Sequence, residues 1–173
     1  MAFIVEDGTA KVDATSYVTI AESDSYFKDL GFLSWAEGDI EPEQKMVSLI
    51  KATNYIDGRF GQRFIGNKKT ITQALAWPRT GAVGFAHTDI PVKLRRACCE
   101  YASRALTAEL APDLKIDANG LTVVVTKKKV GPIETEFAVP QTGLGATSML
   151  FRPYPAADML LRGLVYSASQ VTR

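Results

Sequence analysis

The sequence predicts a mainly α protein, a compact helical bundle with a small β-hairpin and extended N- and C-terminal arms. Residues 42–60 and 91–106 place apolar side chains at the i, i+3, i+4 and i+7 spacing of helices that bury one face. Thr19, followed three residues later by Glu22, matches the capping box that opens a helix. Only residues 121–137 combine β-branched and alternating character, which predicts the hairpin.

The ends of the helices follow from glycine and proline. Gly31 is expected to end the first helix, because glycine readily adopts the left-handed conformation past a helix C-terminus. Residues 32–35 are then predicted to form an apolar loop, and Pro42 to lie in the first turn of the second helix. Asp89 is expected to cap the third helix, with Pro91 in its first turn.

Two segments outside these helices are predicted to be irregular. The N-terminal arm, residues 1–18, is expected to hold no more than a short strand at Tyr17 and Val18. Glycines and a proline interrupt residues 61–88, which predicts a long ordered loop with a short helix near Thr72–Leu75.

The C-terminal part is predicted to hold the hairpin and one more helix. Residues 121–126 and 133–137 are expected to be the paired strands, with a basic tip or edge. An uncharged loop then leads to a short helix that begins at Pro155, and a polar tail follows it. The predicted division is a single helical domain over residues 1–137, followed by a loop, a short docking helix and a tail over residues 138–173.

Composition excludes several classes of function. The chain has 173 residues, 46% of them hydrophobic and 23% charged, which is typical of one globular domain. No apolar run is long enough to cross a membrane, and the acidic N-terminus does not match a secretory signal. One histidine and two cysteines are too few for a structural zinc site. We expect no membrane span, no metal and no cofactor.

The sequence contains none of the common catalytic motifs. GxSxG, HExxH, the Walker GxxxxGK[ST] and a GxGxxG after a strand are all missing. His87 is interpreted as a solvated loop histidine rather than a catalytic one. Cys98 and Cys99 are adjacent on a predicted helix, where neighbours point about 100° apart, so they are expected to remain reduced thiols. We therefore predict that the protein is not an enzyme.

The small net charge of +1 hides a separation of charge along the chain. Residues 1–43 hold ten acidic and two basic residues, whereas residues 44–132 hold fifteen basic and six acidic ones. This asymmetry indicates a surface that faces nucleic acid, or acidic and basic faces that meet between subunits. The alternative is that the two parts neutralise each other within one fold.

Two basic groups are candidates for contact with DNA or a neighbouring protein. The first lies between positions 58 and 88, where acids are absent and aromatic residues are interleaved; its bases are Arg59, Arg63, Lys68, Lys69 and Arg79. Single-strand binders use such mixtures, but the aromatic residues would equally serve as core anchors. The second group is Lys127, Lys128 and Lys129, which would bind phosphate or protect an exposed sheet edge.

The short C-terminal helix is a third candidate. A helix of this length is not stable alone, so it packs on its own domain or docks in a partner's groove. The docking candidates are Tyr154, Pro155, Met159, Leu160, Leu161 and Leu164.

Several blocks of the sequence together resemble a family of tailed-phage proteins. The blocks are residues 16–27, 49–57, 73–81, 90–91, 129–134 and 154–158, of which Trp77-Pro78-Arg79 and Val130-Gly131-Pro132-Ile133-Glu134 are the most specific. This family is that of the head–tail adaptors, also called connector or head-completion proteins, which are often labelled DnaT-like single-stranded-DNA-binding proteins.

The resemblance implies a structural virion protein. In this family about twelve copies form a ring beneath the portal, around the DNA channel, and connect the capsid to the tail. The implied partners are further copies of the chain, the phage portal protein, and a stopper, tail-tube or tail-terminator protein. Nonspecific contact with genomic double-stranded DNA is also expected, and no membrane contact. The implied location is the neck of the virion, with the host cytoplasm during assembly.

The resemblance also gives the candidate residues their expected roles. Residues 152–165 become the candidate for portal docking. The residues expected to face the DNA channel or a neighbouring ring are Lys127, Lys128, Lys129, Arg59, Arg63, Lys68 and Lys69. The alternative function is that of a single-stranded-DNA-binding replication accessory protein.

Overall fold

The computed structural model describes most of the chain as two compact units. The described residues are 2–36, 38–111, 127–130, 133–136 and 152–166. For residues 127–130 and 133–136 the structure describes the backbone alone. One unit comprises residues 1–110 and 153–173, and the other comprises residues 111–152. The C-terminal helix therefore belongs to the same unit as the N-terminal helices, whereas the predicted boundary lay between residues 137 and 138.

The prediction of a mainly α fold with a small hairpin is confirmed. The helices in the described residues are α1 (Ile20–Asp29), α2 (Leu33–Ala36), α3 (Pro42–Phe60), α4 (Val92–Ala105) and α5 (Pro155–Leu161), with a 3-10 turn at Gly61–Arg63. The strands are β1 (Asn67–Lys68), β2 (Arg79–Thr80), β3 (Lys127–Val130) and β4 (Ile133–Glu136). They form two antiparallel pairs, β1 with β2 and β3 with β4.

The ends of α1 form as the sequence predicts. The Thr19 hydroxyl accepts a hydrogen bond from the Glu22 amide at 3.1 Å, and the Glu22 carboxylate accepts one from the Thr19 amide at 3.0 Å. Gly31 has a φ of +71°, the left-handed conformation expected just past a helix. The apolar loop predicted next is instead partly helical, because one turn of α2 carries Trp35 into the core, where its indole donates to Ser23 Oγ.

Helices α3 and α4 supply the centre of the core. Leu49 and Ile56 of α3 and Leu94 and Tyr101 of α4 are fully buried, in agreement with the predicted apolar stripes. Each such side chain contributes roughly 1.5–3 kcal/mol through burial. Helix α5 packs against α4, where Tyr154 meets the Tyr101 ring with centroids 5.7 Å apart.

Two predicted local features are wrong because side chains bond elsewhere. Asp89 does not cap α4; its carboxylate accepts from the Ala86 amide, and Pro91 occupies the N-cap position. No helix forms at Thr72–Leu75, where the side chain of Gln73 donates to backbone carbonyls and accepts from the Thr70 amide. A side chain that takes these backbone partners removes the need for helical hydrogen bonds.

The N-terminal arm closes into a loop against the helices. The strand expected at Tyr17 and Val18 is absent, and a single bridge pairs Val5 with Ser16 instead. The buried carboxylate of Glu6 accepts three backbone amides of the arm, at 2.8–2.9 Å. These bonds close the arm around Glu6.

The hairpin has a different register from the predicted one. Strand β4 pairs with the lysine run of β3, so that Lys127 is opposite Glu136 and Lys129 is opposite Glu134. The strand predicted at residues 121–126 lies outside the described residues.

Candidate interaction surfaces

The aromatic residues of the basic loop are turned into the core. Trp77 is fully buried, and its ring lies edge-on to those of Phe64 and Phe85, with centroids 6.0 and 5.6 Å away. Phe60 and Phe64 are buried as well. Base stacking requires an exposed ring face. These three buried rings therefore serve as core anchors, which was the alternative to base stacking.

Arg79 is a structural clamp within the same loop. Its guanidinium donates to the backbone carbonyls of Phe64, Ile65, Gly66 and Ala76, at distances of 2.6–3.2 Å. Burial lowers the pKa of Arg79, although an arginine remains charged throughout the physiological range. With its donors engaged in this way, Arg79 holds the loop together and has little capacity left for a phosphate.

A partly buried carboxylate joins the arm, α3 and the loop. Asp57 accepts from the Tyr17 hydroxyl at 2.6 Å and from the Ala76 amide at 2.8 Å. The Tyr17 oxygen in turn accepts from the Trp77 amide at 3.2 Å. Burial raises the pKa of Asp57 to about 6, against the opposing effect of these hydrogen bonds.

The remaining predicted bases of the loop divide into two pairs. Arg59 is half-buried and contacts both carboxylate oxygens of Asp158, at 3.2 and 3.3 Å. Lys69 is half-buried and donates to a backbone carbonyl of the N-terminal arm at 3.0 Å. Arg63 and Lys68 are exposed, and Lys68 makes only a long hydrogen bond, 3.5 Å, to the Gln73 carbonyl. Of these four bases, Arg63 and Lys68 are therefore the ones positioned to meet a phosphate.

The lysine run lies on β3 in the other unit. The structure describes the backbone of Lys127, Lys128 and Lys129. Their contact with DNA or a neighbouring ring stays a prediction.

Helix α5 is fixed to its own domain by the carboxylate of Asp158. This group accepts hydrogen bonds from the Tyr101 hydroxyl, from the Arg59 guanidinium and, at 3.2 Å, from the Tyr154 amide. Burial and, to a smaller extent, the hydrogen bond to Asp158 raise the pKa of Tyr101, which keeps its phenol neutral. After α5, the chain contacts the loop of residues 61–88, where the Ile65 amide donates to the Leu164 carbonyl.

Half of the predicted docking residues are therefore core residues. Tyr154, Leu161 and Leu164 are buried in this structure, so a portal could reach them only if α5 left its place, and their docking stays a prediction. The reason for their burial is that the apolar face of α5 is already packed against α4. Pro155 is exposed, Met159 is 67% exposed, and Leu160 is partly buried. Docking through these other residues stays a prediction.

An open apolar groove lies between α2, the first half of α3 and the end of α4. Its lining includes Phe32, which is 48% exposed, Val47, which is 52% exposed, and the buried Trp35. Leu106 contributes from the end of α4. The groove has a volume of about 710 Å³, within the range of roughly 300–1,000 Å³ typical of binding clefts.

The groove itself is lined by one acid and one base, and further exposed acids lie beside it in the sequence. Glu43 lines it, and Asp39 and Glu41 flank a lining residue and are exposed. The only base among the lining residues is Lys51, which pairs with Glu109 at 3.1 Å. We call this feature the acidic groove. Such a groove repels phosphate and suits an apolar segment that carries positive charge.

Sequence reasoning missed the acidic groove. The signal was Val47, an apolar residue that lies off the stripe predicted to be buried on α3. Its partner Phe32 was placed in a loop, so the two were not connected.

The described residues hold no clear catalytic constellation. His87 is exposed in its loop. Cys98 and Cys99 are free and buried, and burial raises the pKa of Cys98 to about 12, which leaves the thiol unreactive. No group of metal-ligating side chains occurs within the described part of the chain. In that same part, no helix is long and apolar enough to span a membrane.

The fold is that of a small helical protein closed by its own C-terminal helix. A family model described as "Putative DnaT-like ssDNA binding protein" matches residues 1–173, and the chain belongs to this family. The DnaT-like part of the sequence resemblance is thereby confirmed. No curated protein and no solved structure matches the chain.

Proposed function

We propose that the protein is a structural virion protein, a head–tail adaptor that forms a ring beneath the portal and connects the capsid to the tail around the DNA channel. The observation that carries this proposal is the acidic groove, a surface with the chemistry of a protein-binding site. Its exposed apolar side chains, Phe32 and Val47, gain free energy when a partner covers them.

The distribution of charge supports self-association. The acidic residues 1–43 and the basic residues 44–132 would supply unlike charges to contacts between copies, although two of these charges, Asp24 and Glu22, already pair within the chain with Lys45 and Arg95. Contacts between two different faces are heterologous, and heterologous contacts close into rings when the rotation permits. The place of the ring, beneath a phage portal, rests on the sequence resemblance.

The proposal is tested by electron microscopy of the purified protein mixed with portal. We expect rings seated on the portal for the wild type. Val47→Asp, which places a charge in the acidic groove, is expected to reduce ring formation. Val83→Asp is the matched control, because Val83 is 90% exposed and does not line the groove. Portal particles that stay bare with the wild type would exclude the adaptor function.

The second candidate is a single-stranded-DNA-binding replication accessory protein. It is favoured by the description of the matching family and by the two exposed bases, Arg63 and Lys68. This function predicts micromolar or tighter binding to oligonucleotides, with affinity that falls steeply as salt is raised. Arg63→Glu with Lys68→Glu should then abolish binding. Trp77→Ala is not a suitable probe, since Trp77 is a core residue.

A further inference from the structure

We propose that the acidic groove receives residues 121–129 of a second copy of this chain. The apolar run Leu121–Val125 would cover Phe32 and Val47, and Lys127–Lys129 would meet the acids beside them. The inference deepens the proposed function and rests on it only in requiring that copies associate.

The groove defines the chemistry of its occupant. It combines a buried ring, Trp35, with two half-exposed apolar side chains, Phe32 and Val47. Glu43 makes no ion pair within the described residues. A matching segment needs apolar side chains followed closely by positive charge, because unlike charges fix the register of a contact while apolar groups supply affinity.

One segment of the chain has this chemistry. Residues 121–126 read Leu-Thr-Val-Val-Val-Thr, and three lysines follow directly. The apolar face of α5 is already buried against α4. Residues 138–151 carry no charge and would leave the acids of the groove unmatched.

The segment belongs to the compact unit 111–152, whereas the groove belongs to the helical unit. The residues that flank the unit 111–152 meet within the helical unit, where the Tyr154 hydroxyl donates to the Leu110 carbonyl at 3.4 Å.

The pairing also explains how copies would be arranged. A groove on one copy and a segment on the next are two different surfaces, so the contact is heterologous. Each copy then gives one segment and receives another. This arrangement closes into a ring when the rotation between copies permits, and it needs no symmetric pairing of like surfaces.

The test is chemical cross-linking between two variants, each of which carries one added cysteine. Val47→Cys is placed in one preparation and Val124→Cys in another, and the mixture is treated with a short bismaleimide. The native thiols are buried and unreactive, so they do not compete. We expect a product of twice the chain mass on a denaturing gel. The matched control replaces Val47→Cys by Val83→Cys, which is 90% exposed and lies outside the groove, and it should give no such product.

Charge reversal supplies a second measurement. Glu43→Lys in the Val47→Cys chain is expected to lower the yield by about tenfold, and Lys128→Glu in the partner chain should restore it. A further variant carries both cysteines in one chain and is treated at high dilution. An efficient link within that single chain would show that the segment occupies its own groove and would overturn the inference.

The outcomes separate this inference from the proposed function. Rings on the portal without cross-linked product would overturn the groove contact and leave the adaptor function in place. Cross-linked product with a bare portal would support the groove contact and exclude the adaptor function.

Discussion

The loop over residues 61–88 and the acidic groove differ in where they place their aromatic side chains. In the loop, where bases and aromatic residues are mixed, Trp77 is fully buried and Arg79 is bonded to backbone carbonyls. In the groove, where the sequence predicts an apolar loop followed by a helix, Phe32 is half-exposed. The buried aromatic residues and Arg79 of the loop thus hold the fold together, and three segments without such a mixture provide the open surface.

The difference shows that residue types indicate a function only after burial is known. An arginine whose guanidinium donates to several backbone carbonyls stabilises the fold. An exposed valine beside glutamates is available to a partner. The following predictions separate these two kinds of region by their effect on stability and on association.

The largest expected effect is that of Trp77→Ala. Removal of a fully buried indole should lower the free energy of unfolding by about 3–5 kcal/mol, because it leaves a cavity between Phe64 and Phe85. Urea denaturation measures this change. Phe32→Ala is the matched exposed substitution and should cost less than about 1 kcal/mol. Equal losses for the two variants would show that the loop and the groove are not different in kind.

The next effect is a dependence of stability on pH that comes from Asp57. Its pKa is about 6 in the folded protein and 3.8 in the reference state, so the folded state binds the proton more tightly between these values. The stabilisation from this group is complete below pH 4 and is lost as the pH rises through 6, a change of about 3 kcal/mol. Asp57→Asn should remove this part of the pH profile of unfolding. Glu43→Gln changes an exposed acid and should leave this part of the pH profile in place. If Asp57→Asn and the wild type have parallel profiles, the pH dependence does not come from Asp57.

A smaller effect is expected from Asp158→Asn. The variant weakens the contacts with Arg59 and Tyr101, and we expect a loss of about 2 kcal/mol because the site is partly exposed. Amide hydrogen exchange should rise over α5 before it rises in α3. Arg162→Gln, on the exposed side just past α5, is the control and should change neither quantity. Unchanged exchange over α5 in Asp158→Asn would mean that this carboxylate does not hold the helix.

The smallest effect on stability is expected from Val47→Ser. The side chain is half-exposed, so the free energy of unfolding should change by less than about 0.5 kcal/mol. Self-association, measured by sedimentation equilibrium, should nevertheless weaken. Val83→Ser provides the comparison outside the groove and should associate as the wild type does. A large loss of stability in Val47→Ser would place the groove within the core.

The parts of the fold that depend on local sequence were predictable. The apolar stripes of α3 and α4, the capping box at Thr19 and the glycine that ends α1 all form as expected. Each of these features is decided by residues within one or two helical turns. The spacing of side chains therefore contains the necessary information.

The parts that depend on distant partners were not predictable. Whether Leu161 and Leu164 face a partner or their own domain depends on Tyr101, Arg59 and Asp158 meeting across the fold. The acidic groove likewise arises only when three segments that are separate in sequence come together. No local pattern specifies such meetings.

The burial of α5 in the core has a consequence for how the protein is made. The ribosome completes α4 well before it reaches α5, and synthesis of residues 111–155 takes about 2–9 s at roughly 5–20 residues per second. During that interval the tyrosines that α5 will cover, Tyr55 and Tyr101, have no Tyr154 to pack against. The emerging chain therefore cannot complete its core until α5 is translated. By that time the segment proposed to bind a neighbour has already been synthesised.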